Sequence, residues 1–279
     1  MCLEKLTECG VKVVSITFDG PAVNLAMLKK LGASVDPQGI QSEIHFRSAD
    51  KPVNILIDNC HCLKNVRNAF ADLNVILDSE GRKIEWKFIQ QLLEVQTSET
   101  FHLGNKITRD HVYFHNQKMK VKLATQVFSR STANAIDHCR DDLKIPEFQC
   151  SNATTKFLRT FDEIFDLLNS KSKYSTWSKA PLSETNTGYW KDVFDSAARY
   201  ILSLTEQCGK RLVDGRRRTG FLGFLLNMVS TESIFNAYVV SGPLEYILTY
   251  KLSQDHLEIF FGCIRARLGS NNNPTVIQE

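Results

Sequence analysis

The chain has 279 residues, 43% of them hydrophobic, which is enough to bury the core of one or two domains. Its formal net charge of only +3 excludes a global field that would gather nucleic acid, so any basic surface must be local. The longest apolar stretch, Phe221 to Val229, is far too short to span a bilayer, and no signal peptide opens the sequence. Eight cysteines without a CxxC pair argue against a disulfide framework, and the expectation is a soluble, intracellular protein with no membrane partner.

Cys2 to Glu8 predicts a helix that Cys9-Gly10 stops. Val11 to Phe18 is a nearly continuous β-branched and aromatic run, the pattern of a strand buried on both faces. Asp19-Gly20-Pro21 reads as a turn, with Pro21 suited to the first helical position, and the helix that follows ends at Leu31-Gly32. Lys51 to Ile57 is a second buried strand; Asp58 and Asn59 then lead into a helix through Leu63, Val66, Phe70 and Leu73. This alternation is α/β layering with a parallel sheet.

From about Ile84 the sequence becomes helical with polar interruptions, and only Val112-Tyr113-Phe114 carries much strand character there. Ala124 to Ser129 and Phe157 to Leu168 read as helices, and Ser170 to Thr187 as a loop. Arg216-Arg217-Arg218 reads as a solvated basic knot. Helical signal returns from Leu244, with Ser253 as N-cap and Asp255 in the first turn, where the dipole favours an anion. Leu257, Phe260, Phe261, Ile264 and Leu268 share one face; at 100° per residue Glu258 lies on its edge and Asp255 points almost opposite. The tail from Gly269 reads as irregular.

Two carboxylates stand out by their settings, Asp19 leaving a strand and Glu258 on an amphipathic helix. By pattern alone the first reads as an N-cap and the second as a solvated residue paired, for instance, with Arg265. Asp58 reads as structural, with His61 as a hydrogen-bonding partner in the next helix. Cys60-His61-Cys62 looks metal-like, yet two cysteines one residue apart lie about 200° apart on a helix, and no second pair follows at zinc spacing. These are read as ordinary thiols.

At five segments the sequence resembles the P-element-type family of DNA transposases, including its vertebrate THAP-domain-containing branch. They are Val13 to Asp19, Asp58 to Asn68, Lys120 to Ser129, Phe165 to Lys171, and Tyr246 to Thr249 with Gln254 to Gly262, in the family's order. The resemblance implies an α/β fold: a truncated RNase H-like catalytic core interrupted by a large, mainly α-helical insertion domain. Core pieces are expected at residues 1–75 and 244–279, with the insertion at 76–243. It also implies that the chain begins after the family's THAP zinc finger, first three core strands and first catalytic aspartate. Asp19 and Glu258 then take the roles of second and third catalytic, metal-holding carboxylates, with Asp255 as the lesser candidate.

The activity implied is Mg²⁺-dependent DNA cleavage and strand transfer by a two-metal site, with transposon ends and target DNA as partners, a homo-oligomeric assembly and a nuclear location. A catalytically silent, domesticated module that binds nucleotide or protein is the alternative. The insertion binds GTP in the insect enzyme, and the residues matching that pocket are Lys120, Val121, Ser129, Phe165, Asp166 and Asn169. Their chemistry suits the ligand: an aromatic face for the base, a carboxylate for guanine's N–H groups and a lysine for phosphate. The insect enzyme's NKxD-like segment has no clear counterpart, since Asn105-Lys106-Ile107-Thr108 lacks the aspartate.

Overall fold

A computed structural model describes residues 2–20, 22–45, 52–98 and 103–267. The first layer is α1 (Cys2–Glu8), β1 (Ser15–Phe18), α2 (Ala22–Lys30), β2 (Ser34–Asp36), β3 (Gly39–Gln41), β4 (Glu43–Ile44), β5 (Val53–Ile57) and α3 (Asn59–Leu73). β1 pairs with β5 in parallel, from Ser15 opposite Asn54 to Phe18 opposite Ile57, and β4 runs antiparallel on the other side of β5. β5 is therefore the central strand and is buried at all five positions.

The first predicted strand is shorter and less buried than its sequence suggests. β1 begins at Ser15, three of its four residues are half-buried, and Val11 is exposed. Among the described residues β1 has a partner on one edge only, so it is an edge strand of this sheet. Pro21, Lys51, Leu268 and the tail lie outside the described residues. The β2–β3 hairpin, absent from the sequence reading, turns at Asp36-Pro37-Gln38-Gly39, where Gln38 N–H donates to Asp36 Oδ1 at 2.9 Å.

Next come β6 (Val75–Leu77), β7 (Lys83–Glu85), α4 (Lys87–Ser98), α5 (Arg109–Val112), α6 (Val121–Val127), α7 (Arg130–Asp141), α8 (Asn152–Leu168), β8 (Leu182–Ser183), α9 (Thr187–Ser203), β9 (Thr205–Glu206) and α10 (Thr219–Phe235). β10 (Tyr246–Ile247) pairs with β8, and α11 (Asp255–Arg267) ends the described chain. Val112-Tyr113-Phe114 is not extended. Thr108 and His111 cap each other's backbone at the start of α5, and a 3₁₀ turn, Phe114–Gln117, follows directly.

α10 is apolar over its first half and buried over most of its surface, packed against β5 and α3, with Val229 exposed. Two glycines permit that approach: a Cβ at Gly220 would lie 2.7 Å from Cys62 O and 2.8 Å from Val66 N, and one at Gly223 would meet the Cys62 thiol. In the same helix Asn227 Oδ1 accepts from Ile57 N–H at 2.8 Å, while its amide nitrogen donates to Ile57 O and to Asn59 Oδ1 at 2.7 Å. A polar side chain inside an apolar helix thus locks the end of β5 to the start of α3.

Candidate active site

β1 and β5 end side by side, with Asp58 N–H donating to Phe18 O at 3.0 Å. Asp19 follows one strand and Asp58 the other, so the carboxyl edge of a parallel pair carries both acids, the edge at which open α/β sheets place their ligands. Asp58 is almost fully buried and both of its oxygens are taken. Oδ2 caps α3 by accepting from His61 N–H at 2.9 Å, and Oδ1 accepts from Gln254 N–H at 3.2 Å, one residue before α11. One carboxylate therefore sets both the start of α3 and the start of α11. The structural reading of Asp58 holds, and its link to His61 is through the His61 backbone.

The His61 side chain faces elsewhere. Nδ1 lies 3.4 Å from Asp19 Oδ1 and Nε2 lies 3.8 Å from Glu258 Oε1. Asp19 and Glu258, from opposite ends of the sequence, thus meet on one imidazole, and both remain open to solvent on their other sides (48% and 65% exposed). α11 reaches this place from a 3₁₀ turn, Thr249–Leu252, that is tied to β1 by the Thr17 hydroxyl donating to Leu252 O at 2.6 Å. Ser253 assists at the helix start, where its hydroxyl accepts from Asp255 N–H.

Asp255 occupies a neighbouring position. Its Oδ1 is 3.9 Å from Cys60 Sγ and its Oδ2 is 3.4 Å from Lys171 Nζ. Asp58, Cys60 and Asp255 offer atoms within 4.8 Å of one another, but the Asp58 oxygens are already satisfied by backbone donors. Burial and the two nearby carboxylates push the Cys60 thiol up to about 12, which leaves it protonated. The apolar stripe of α11 is not buried: Leu257, Phe260 and Phe261 are exposed, and the helix docks through its polar side instead.

The residues matched to a nucleotide pocket fall at three places. Lys120 and Val121 stand at the start of α6, and Lys120 lines a cleft of about 480 Å³ together with Lys106, Lys122, His111 and Gln126. Ser129 lies past the other end of α6 and caps α7 by accepting from Thr132 N–H. Asp166 and Asn169 are at the C-terminal end of α8, with the ring of Phe165 buried beside them. Asp166 accepts from the Ser178 hydroxyl at 3.1 Å and faces Lys179 Nζ at 3.8 Å. Burial raises its pKa, against the pull of Lys179 and Ser178. Sequence reading missed Asp162, one turn earlier, which burial and the Asp166 charge push up to about 6.

The end of α8 is bonded into the carboxylate region. Asn59 Nδ2 donates to Leu168 O at 2.8 Å, Thr249 Oγ1 donates to Leu167 O at 2.7 Å, and Lys171 reaches Asp255.

Three family models match in chain order. "TNP-like, RNase H N-terminal domain" covers residues 1–32, "TNP-like, GTP-binding insertion domain" 60–181, and "TNP-like, RNase H C-terminal domain" 250–278. DNA transposase THAP9 of Homo sapiens is 31% identical over 99% of this chain, and the Transposable element P transposase of Drosophila melanogaster is 30% identical over 99%. The chain belongs to the P-element-type DNA transposase family.

It spans 30% and 35% of the length of those two relatives. A solved structure described as a Drosophila P element transposase strand transfer complex superposes with a TM-score of 0.82 at 26% identity, over 99% of this chain and 61% of that one. The fold is accordingly the family's: an α/β, RNase H-like core interrupted by a large, mainly helical insertion domain. Among the described residues no helix is long and apolar enough to cross a membrane.

Proposed function

We propose that this P-element-type chain carries part of the phosphodiester-cutting centre of a DNA transposase, with Asp19 and Glu258 as metal-holding carboxylates. The observation that supports it most is their meeting at His61, on the carboxyl edge of the parallel strands, with oxygens left open to solvent. Hard, half-exposed oxygen donors fit Mg²⁺, which keeps several waters and needs few protein groups. When bound, Mg²⁺ supplies charge neutralisation at the scissile phosphate and activation of the attacking water or 3′-hydroxyl. The chain's own part is to hold the two carboxylates at the two nitrogens of one half-buried ring. Asp255 would have to leave Cys60 and Lys171 to join them.

The substrates under this reading are transposon ends and target DNA, and the work belongs to the nucleus. The insertion holds GTP, with Asp166 taking guanine's N–H groups, Phe165 and Asn169 beside it, and Ser129, Lys120 and Val121 toward the phosphates. Along α6 and the following turn, Lys120 and Ser129 are separated by roughly 14 Å at 1.5 Å per residue, a span suited to an extended nucleoside triphosphate.

Calorimetric titration of Mn²⁺, and separately of GTP with Mg²⁺, tests both parts. Asp19→Asn and Glu258→Gln are expected to weaken Mn²⁺ binding about tenfold or more while leaving GTP affinity intact. Asp166→Ala is expected to abolish GTP binding and spare Mn²⁺. Equal Mn²⁺ affinity in wild type and both carboxylate variants would overturn the metal assignment.

A further inference from the structure

His61 occupies a position that neither a buried core histidine nor a solvated one explains. Its ring is 16% exposed, yet each nitrogen faces a carboxylate that is far more exposed than itself. Its neighbours in the sequence go elsewhere: Cys60 turns to Asp255, and Cys62 is buried against α10 at Gly223. Its backbone is fixed by Asp58, the same residue whose other oxygen fixes Gln254 ahead of α11. α11 has little else to hold it, since no residue of the helix is buried. The orientation of Glu258 relative to Asp19 therefore depends on a few polar contacts, and among the described residues His61 is the side chain that reaches both.

We infer that His61 is a positioning residue, which sets the separation of Asp19 and Glu258 by presenting Nδ1 to one and Nε2 to the other. This rests on the reading of those two carboxylates as cation ligands. His61 acts behind them, as outer partners of metal ligands do when they orient the donor atoms. Removing the ring leaves Asp19 on its strand end and Glu258 on its helix with nothing between them, so the cation must gather the two carboxylates itself.

The test uses the full chain and Mn²⁺ as the probe, followed by calorimetry and by its electron paramagnetic resonance signal. His61→Ala is expected to weaken Mn²⁺ binding 10- to 100-fold. His61→Gln, which keeps a polar end of similar reach, is expected to recover part of that loss. GTP affinity and the thermal midpoint should stay at their wild-type values in both variants, where a purely structural role would move them. If His61→Ala does not fold, the imidazole ¹⁵N resonances of otherwise intact protein carry the test. Asp19→Asn should then shift Nδ1 and Glu258→Gln should shift Nε2, each more than the other nitrogen.

Mn²⁺ affinity that falls in Asp19→Asn and Glu258→Gln but stays within twofold in His61→Ala overturns this inference alone. Nitrogen resonances indifferent to both carboxylate variants overturn it as well. Mn²⁺ binding indifferent to the carboxylates themselves sinks the metal assignment, and the role of His61 with it.

Discussion

Asp162 shows how a single burial writes a pH dependence into the fold. Its carboxyl is raised from the usual 3.8 to about 6, first by burial and then by the Asp166 charge. The folded chain therefore holds a proton that the unfolded chain has already lost between those values. Stability from this group is present below 3.8 and is lost as pH rises through about 6. Asp162→Asn is expected to flatten that part of the profile, raising the thermal midpoint at pH 7 relative to wild type and not at pH 4. A variant whose midpoint tracks wild type at every pH would show that Asp162 ionises freely. Arg67 is the opposite case, a buried cation with no carboxylate paired to it among the described residues. Burial lowers it to about 10, and it is retained by donating to Lys118 O at 2.9 Å and by lying 3.8 Å over the Phe114 ring.

At the scale of elements, α10 is what holds the sheet edge in shape. Gly220 sits where α10 crosses α3, and a methyl group there would press on backbone atoms that cannot step aside. Gly220→Ala gains up to about 1 kcal/mol of helix propensity but meets an overpacking cost of about 1–3 kcal/mol, so net destabilisation is expected in urea titration. Asn227→Ala removes the acceptor of buried Ile57 N–H and the donor to Asn59 Oδ1, and leaves Ile57 O with only the Cys62 thiol at 3.9 Å. Its cost is expected at about 2–6 kcal/mol by the same measurement, since each of two stranded polar groups costs about 1–3 kcal/mol. A loss below 1 kcal/mol would mean that water takes over both bonds. The position of α11 is decided differently. Its polar side meets α3 while its apolar residues face outward, so Glu258 is placed by Asp58, His61 and Lys171 rather than by hydrophobic burial.

Over the whole molecule, one aromatic chain joins α3, α8 and α10. Trp86 and Phe157 both pack on Phe70, Phe157 meets Phe161, and Phe161 meets Phe221 and Phe224 of α10, all at ring separations between 4.8 and 5.9 Å. The helices that carry these rings therefore share buried surface and should melt together. Phe161→Ala, at the centre of that chain, is expected to cost about 3–5 kcal/mol and to lower a single calorimetric transition without splitting it. Two separated transitions would show that the insertion folds on its own.

The strand ends at Asp19 and Asp58, the helix after Asp58 and the N-cap signals near Ser253 were legible in the residues, because hydrophobic runs and capping chemistry are local. So was the pairing of Asp19 with Glu258 as candidates, though through resemblance to a family and not through spacing. The signals for the β2–β3 and β6–β7 hairpins were also present, in Asp36-Pro37-Gln38-Gly39 and in Asp78-Ser79-Glu80-Gly81, but short strands carry too few alternating residues to register. Edge or centre could not be read for β1, since a β-branched run looks the same whether one or both sides are paired. What the sequence determined by itself was the kind of element and the kinds of donor atom. The tertiary structure decided which donors meet. His61 was visible only as a helix residue near a capping aspartate, and its place between two carboxylates depends on α11 arriving from the far end of the chain. Contacts between distant segments leave no periodic trace in either one, and for that reason the geometry of the site had to be seen in three dimensions.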